Sequence, residues 1–240
     1  MSAKKFKTEL HAHTQLVSPC ADTPLEEVVA RYADAGYTTV VVTDHYCDYV
    51  IDNAKDTWEQ RIEHYLSGYR TMKELARGKF NVLLGCELRF LENFNDYLVF
   101  GMDEEFLRSH PELHKMTLKT FSAFAKENGL LLVQAHPFRS RMTVVKPQLL
   151  DGVEVFNGHR GHDSKNYLAN ELASRYGLIK TSGTDFHHPT QEPCAGILTD
   201  APIESVSQLL KILRSGDYTL ICQGPAAARD GMTDMPAKEN

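Results

Sequence analysis

The sequence predicts an α/β barrel, on three observations. Strand-like apolar runs alternate with helix-like amphipathic stretches along most of the 240 residues, the pattern of a parallel sheet with helical crossovers. The run Val40-Val41-Val42 suits a strand buried on both faces, as such sheets require. Several apolar runs end in His, Asp or Glu, as strands do when their ends form the mouth of a barrel that carries a site.

Residues 6–10 read as a first strand leading into His11-Ala12-His13. The polar loop 13–23 holds Ser18, Cys20 and Asp22. Thr23-Pro24-Leu25-Glu26 has the form of a helix start: a hydroxyl cap, proline at the first helical position and acids in the first turn. Val28, Val29, Tyr32 and Ala33 give that helix one apolar face, and Gly36 ends it. A strand over 37–43 completes a βαβ unit, which implies parallel pairing.

A loop over 46–56 and a long amphipathic helix over 57–76 follow, the helix weakened at Gly68. Strands are predicted over 80–86, ending at Glu87, and over 96–101. A helix over 118–127 stops at Gly129, and a strand over 130–134 leads into Ala135-His136-Pro137. Further strands fall at 152–156, 178–181 and 218–222, with helices at 164–176 and 203–213. Residues 1–223 read as one domain, and 224–240, with two prolines and several alanines, as a mobile tail.

Composition narrows the function. Apolar content of 42% and charged content of 24% are those of a globular protein with an ordinary core. A net charge of −6 argues against nonspecific nucleic-acid or anionic-membrane partners. No apolar run approaches the roughly 18–20 residues of a spanning helix. The basic start Met1 to Lys5 lacks the apolar stretch of a signal peptide. Five cysteines without a CxxC pair point to free thiols in a reducing compartment, the cytoplasm.

A lone histidine is usually structural, and 11 are present, so placement decides. His11, His13, His45, Glu87, His136, Asp185 and His187 all follow strand-like runs. Two histidines one residue apart on a strand point the same way, so His11 and His13 can share one metal ion. Asp44 reads as a holder of a ligand histidine or a turn. His64, His110 and His114 read as surface or packing residues, and His188 as lying just outside the ligands or as a proton donor to a leaving group.

The chain resembles the PHP (polymerase and histidinol phosphatase) domain family over residues 6–222. The resemblance rests on His11-x-His13, Thr43-Asp44-His45, Glu87, Ala135-His136-Pro137 and Gly183-Thr184-Asp185-x-His187. It implies a distorted seven-stranded (β/α) barrel with two or three divalent ions at the C-terminal strand ends. By position, His11, His13, Glu87 and Asp185 would hold a first ion. Glu87 would bridge to a second, shared with His136, and His45 and His187 would hold a third.

Two positions depart from the family pattern. Asp96 stands where many members have a histidine, and is either an oxygen ligand or a turn residue. The first loop offers Cys20 and Asp22 to the third ion, and either, or neither, would serve. The donor set suits Zn²⁺, Mn²⁺ or Fe²⁺.

Such a cluster implies a metal-dependent phosphoesterase, with a metal-activated hydroxide attacking phosphorus and Glu87 and Asp185 as the catalytic carboxylates. Arg139 and Arg160 are candidates to hold phosphate, Arg141 is not, and His159 and His162 lie on a loop at the same face. A small phosphomonoester is the expected substrate; histidinol phosphate, nucleotides, phosphosugars and a phosphotyrosine peptide are family options, and short oligonucleotides stay open. The rivals are an amidohydrolase cleaving C–N bonds and a noncatalytic metal-binding protein.

Overall fold

The structure, a computed structural model, describes residues 5–54 and 57–238. Residues 1–4, the last two of the loop expected over 46–56, and the last two of the tail lie outside the described residues. The opening βαβ unit forms as predicted, from β1 (Phe6–Ala12), α1 (Leu25–Asp34) and β2 (Tyr37–Val42). β1 runs further than the apolar pattern suggests and takes His11 into the strand. Thr23 does not cap α1. Pro24 is the N-cap, with no side-chain bond, and the Thr23 hydroxyl donates instead to the His187 carbonyl at 3.1 Å.

β3 (His45–Tyr46) and α2 (Asp48–Ala54) occupy the region expected to be a loop, ahead of α3 (Trp58–Leu75). Thr57 and Gln60 cap α3 reciprocally. Gly68 has a packing reason: a Cβ there would overlap Thr14 Oγ1 and lie 2.6 Å from Asp44 Oδ2. β4 (Asn81–Arg89) and β5 (Asp96–Phe100) pair antiparallel, because the short connection between them is too brief for a parallel crossover. α4 (Glu104–Ser109), α5 (Leu118–Glu127), β6 (Leu131–Gln134), β7 (Gly152–Asn157), α6 (Asn166–Tyr176) and β8 (Ile179–Gly183) follow. β9 (Ala195–Thr199), which sequence pattern does not suggest, precedes α7 (Val206–Ser215) and β10 (Thr219–Cys222).

The strand order is β11 (Met235–Pro236), then β10-β9-β1-β2-β4-β5-β6-β7-β8, with β3 beside β4. β1, β2 and β4 are mutually parallel, as are β6, β7 and β8, while β5 runs against both neighbours. Past β8 the chain returns to β1 through a bridge between Ala12 and Phe186. The result is an α/β fold on a curled half-barrel sheet. It has more strands than seven and is mixed, not uniformly parallel.

Residues 224–238 are not a loose tail. They form α8 (Gly224–Asp230) and β11 (Met235–Pro236), β11 pairs antiparallel with β10, and Ala226, Ala227 and Ala237 are buried. The valines of β2 and the apolar faces of α1 and α3 fill the core. Buried polar residues gather where β1, β4, β6 and β8 end.

Candidate metal centre

Strand geometry brings seven side chains from across the sequence to one buried site. His11 and His13 lie at the end of β1 with their Nε2 atoms 3.1 Å apart. His45 opens β3 directly across from Glu87 in β4. His136 follows β6, and Asp185 and His187 follow β8. All seven are buried.

Glu87 joins two groups of donors. Its Oε1 lies 3.3 Å from His11 Nε2 and 3.0 Å from His136 Nε2. Its Oε2 lies 2.8 Å from His45 Nδ1 and 3.3 Å from His13 Nε2. Asp185 Oδ1 is 3.4 Å from both His11 Nε2 and His13 Nε2 and 3.2 Å from His187 Nδ1. Donor atoms of His13, His45 and His187, of His11, Glu87 and His136, of His11, His13 and Asp185, and of His45, Glu87 and Asp96 each fall within 4.8 Å of one another.

These residues fit divalent cations. Buried polar atoms are ordinarily hydrogen-bonded, yet His45 Nδ1 and Glu87 Oε2, though 2.8 Å apart, are not aligned as a hydrogen bond, and His136 Nδ1 has no partner. A shared carboxylate among imidazoles is the donor set of zinc, manganese or iron. The backbone is strained at two of the seven: His136 has φ 29° and Asp185 φ 54°, the left-handed region that costs a non-glycine residue of order 1–3 kcal/mol. The Asp185 amide donates to the His11 carbonyl at 2.9 Å and helps hold that turn.

A second set of residues orients the histidines. His13 Nδ1 lies 3.0 Å from the Ser18 hydroxyl, which donates to Asp44 Oδ1 at 2.8 Å. Asp44 also accepts from the Thr14 amide and hydroxyl, so it holds His13 through Ser18, the bland role expected of it. His11 Nδ1 lies 2.8 Å from Glu154 Oε1. The other oxygen of Glu154 accepts from the His136 amide and from Asn157 Nδ2, which also reaches Asp185. Glu154 and Asn157 went unread in the sequence; the available signal was an acid inside the apolar run of β7. Gly183 makes room for them, since a Cβ there would overlap His11 Cβ and lie 2.7 Å from Glu154 Oε1.

Charge is balanced by proximity. Burial would raise Glu87 and Asp185, but the neighbouring histidines, with Arg139 beside Asp185, hold both well below the usual carboxylate range. Burial would lower His11, and Asp185, Glu154 and Glu87 raise it instead. Burial, His187 and His45 together lower His13. Beneath the cluster, burial pushes the Glu9 carboxyl up to about 7, against hydrogen bonds from Thr184, the His11 amide and Tyr32.

The candidates left open by the sequence separate. Burial raises the Cys20 thiol, but hydrogen bonds to His187 and His45 outweigh it and bring it down to about 6. Cys20 is exposed and lines the same cavity as His45 and His187. Asp22 is exposed and accepts from His188 Nδ1 at 2.9 Å instead. Asp96 is buried near His45 and Glu87, with both carboxylate oxygens on Arg89.

Above the cluster is a cavity of about 280 Å³, lined by Cys20, Tyr49, Arg89, Arg139, Met142 and His159 among others. Arg139 is ion-paired with Asp185 Oδ2, and its buried Nε has no partner. Arg160 is outside this lining: it is exposed and donates to the Thr190 carbonyl. Arg141 stacks on Phe94. His162 and the half-buried His188 line the cavity too. Burial and Arg139 outweigh Asp185 and lower His159 to about 4, so it is neutral at pH 7. His114 is buried against Asp52.

Fold and site together define an α/β protein with a candidate metal centre of histidines and carboxylates at the mouth of its sheet. The chain belongs to the PHP family: the PHP domain model matches residues 9–221. It has no match among curated proteins. Among solved structures it is similar to a two-domain protein of Bacteroides vulgatus containing a predicted PHP-like metal-dependent phosphoesterase, at 16% identity and TM-score 0.62, covering 91% of this chain and 65% of that one. It is also similar to PsfC of Pseudomonas syringae, at 16% identity and TM-score 0.60, covering 96% of this chain and 89% of that one. A lesion-specific endonuclease of Pyrococcus furiosus matches at 13% identity and TM-score 0.56, covering 90% of this chain and 57% of that one. Among the described residues no helix is long and apolar enough to cross a membrane.

Proposed function

We propose that the protein is a metal-dependent phosphoesterase acting on a small phosphate ester, with a phosphomonoester as the preferred substrate. The observation that carries this reading is the Glu87 carboxylate shared between two groups of buried histidines beneath a cavity that Arg139 lines. In this reading His11, His13, Glu87 and Asp185 would hold one ion, Glu87 and His136 a second, and His45 and His187, with Cys20, a third. Bound divalent ions would neutralise the ester's charge and lower the pKa of water to about 7.

The protein's own groups do the rest. Asp44 through Ser18, and Glu154 directly, fix the protons of His13 and His11 on Nδ1 and keep each Nε2 lone pair turned to the cluster. Arg139 lines the cavity with its guanidinium, which would grip a phosphate oxygen while its Nη2 stays on Asp185. A guanidinium suits that task because its donors are planar and permanently charged.

The fold is shared with an endonuclease, but a cavity of about 280 Å³ and a net charge of −6 favour a small ester over long nucleic acid. The test is elemental analysis of protein purified without chelator or histidine tag, beside Glu87→Gln and Asp185→Ala, with a panel of phosphate esters and amides. Bound transition metal lost in both variants, with ester turnover in the wild type, supports the reading. Turnover of amides alone would overturn it in favour of an amidohydrolase. A fully metallated protein inactive on both panels would favour a noncatalytic role.

A further inference from the structure

Arg89 lies two residues beyond Glu87 in β4, so both side chains leave the strand on the same face. It is registered directly opposite Asp96 in the β4–β5 ladder. Its Nε donates to Asp96 Oδ1 at 2.6 Å and its Nη2 to Asp96 Oδ2 at 2.8 Å. Asp96 is 1% exposed, and the Arg89 side chain keeps 24% of its surface. The guanidinium carbon lies 6.0 Å from the centre of the Tyr49 ring. Arg89, Asp96, Tyr49 and Arg139 all line the same cavity.

This geometry favours one of two uses of Asp96. A carboxylate near His45 and Glu87 has the position of an ion ligand. However, both its oxygens already accept short, charge-assisted bonds from one planar fork, and its charge is balanced by that cation. Each oxygen keeps a second lone pair, but a cation placed on it would draw carboxylate charge away from the guanidinium that it balances. The bidentate pair uses Nε and Nη2, leaving the Nη1 amino group for another acceptor. Arg139 is held differently, through Nη2 alone, which donates to Asp185 Oδ2 and Asn157 Oδ1.

We propose that Asp96 is the anchor of Arg89, and that Arg89 is a second phosphate-positioning residue acting with Arg139 on the same substrate phosphate. The proposal rests on the phosphoesterase reading and sharpens it. Two guanidinium groups beside an ion cluster call for a phosphate with many free oxygens. A monoester has three and a diester two, so the pair selects a terminal phosphate.

The test is calorimetric titration of inorganic phosphate into the metal-loaded protein, with metal content measured on the same samples. The variants are Arg89→Gln, Arg89→Lys and Asp96→Asn. Wild type should bind phosphate, and Arg89→Gln should bind it about 10-fold or more weakly at unchanged metal content. Arg89→Lys, which keeps the charge and loses the fork, should fall between them. Asp96→Asn should weaken phosphate binding and keep every ion. Unchanged affinity in Arg89→Gln, or loss of an ion in Asp96→Asn with phosphate affinity intact, would overturn the proposal. A metal-loaded wild type that binds no phosphate would overturn the phosphoesterase reading itself, a result separable from either of those.

Discussion

His11 Nδ1 and Glu154 Oε1 lie 2.8 Å apart with both side chains fully buried. This contact fixes which nitrogen of His11 faces Glu87 and Asp185. Glu154→Ala should therefore leave the protein folded and weaken metal binding by about 10–100-fold, read by competition with a chromophoric chelator. Wild-type affinity in that variant would show that the contact only fills space.

Gly68 sets helix propensity against packing. Alanine is better than glycine inside a helix by about 1 kcal/mol, so an exposed site would gain from the change. Here the added Cβ would overlap Thr14 Oγ1 and crowd Asp44, loosening the Ser18 bond that steadies His13. Gly68→Ala should lower stability by about 1–3 kcal/mol in urea unfolding. A stabilised variant would contradict the close approach of α3 to the loop after His13.

Cys20 should behave as an acidic thiol. Its proton is lost near pH 6 in place of 9.0. In chelator-treated protein, alkylation by iodoacetamide should rise through about pH 6 and level off by about pH 7. Because the folded-state value is depressed, the linked stability is present above pH 9 and is lost as pH falls through about 6. A labelling rate that keeps climbing to pH 9 would contradict the contacts with His45 and His187. Protection by added Zn²⁺ would identify the sulfur as a ligand.

Removal of residues 224–240 should be costly. It uncovers β10 and removes the bonds of Asp230 to the Asn166 amide and of Asp234 to the Cys222 amide. We expect the melting temperature to fall by about 4 °C or more, at about 2–4 °C per kcal/mol for a chain of this size. The bared edge of β10 should promote aggregation. An unchanged melting temperature would mean that the segment contributes no stability.

Much of the site was legible because strand ends are. His11, His13, His45, Glu87, His136, Asp185 and His187 follow apolar runs, and the fold gathers all seven. What local pattern could not supply was contact between distant segments. Asp22 and Cys20 look equivalent in the loop, and only the path of that loop turns the thiol to His45 and His187 and the carboxylate to His188. Arg160 looks like a phosphate-binding residue on a top-face loop, but it is exposed and donates to the Thr190 carbonyl. Arg89 passed unnoticed because its meaning comes from the antiparallel register with Asp96, and alternation along the chain suggested parallel strands. β9 was missed because its role is to pair with β1 and β10, partners more than 20 residues away in sequence.

The bridge between Ala12 and Phe186 has a consequence for how the protein matures. It lies between ligand candidates from opposite ends of the sheet, His11 and His13 on one side and Asp185 and His187 on the other. During synthesis the first two histidines emerge long before their partners. The full pocket exists only once residue 187 has left the ribosome and closed that seam. Capture of an ion by His11, His13 and Asp185 would thus be a late step in biogenesis, and that ion would act as a rivet across the junction where the nascent sheet meets itself.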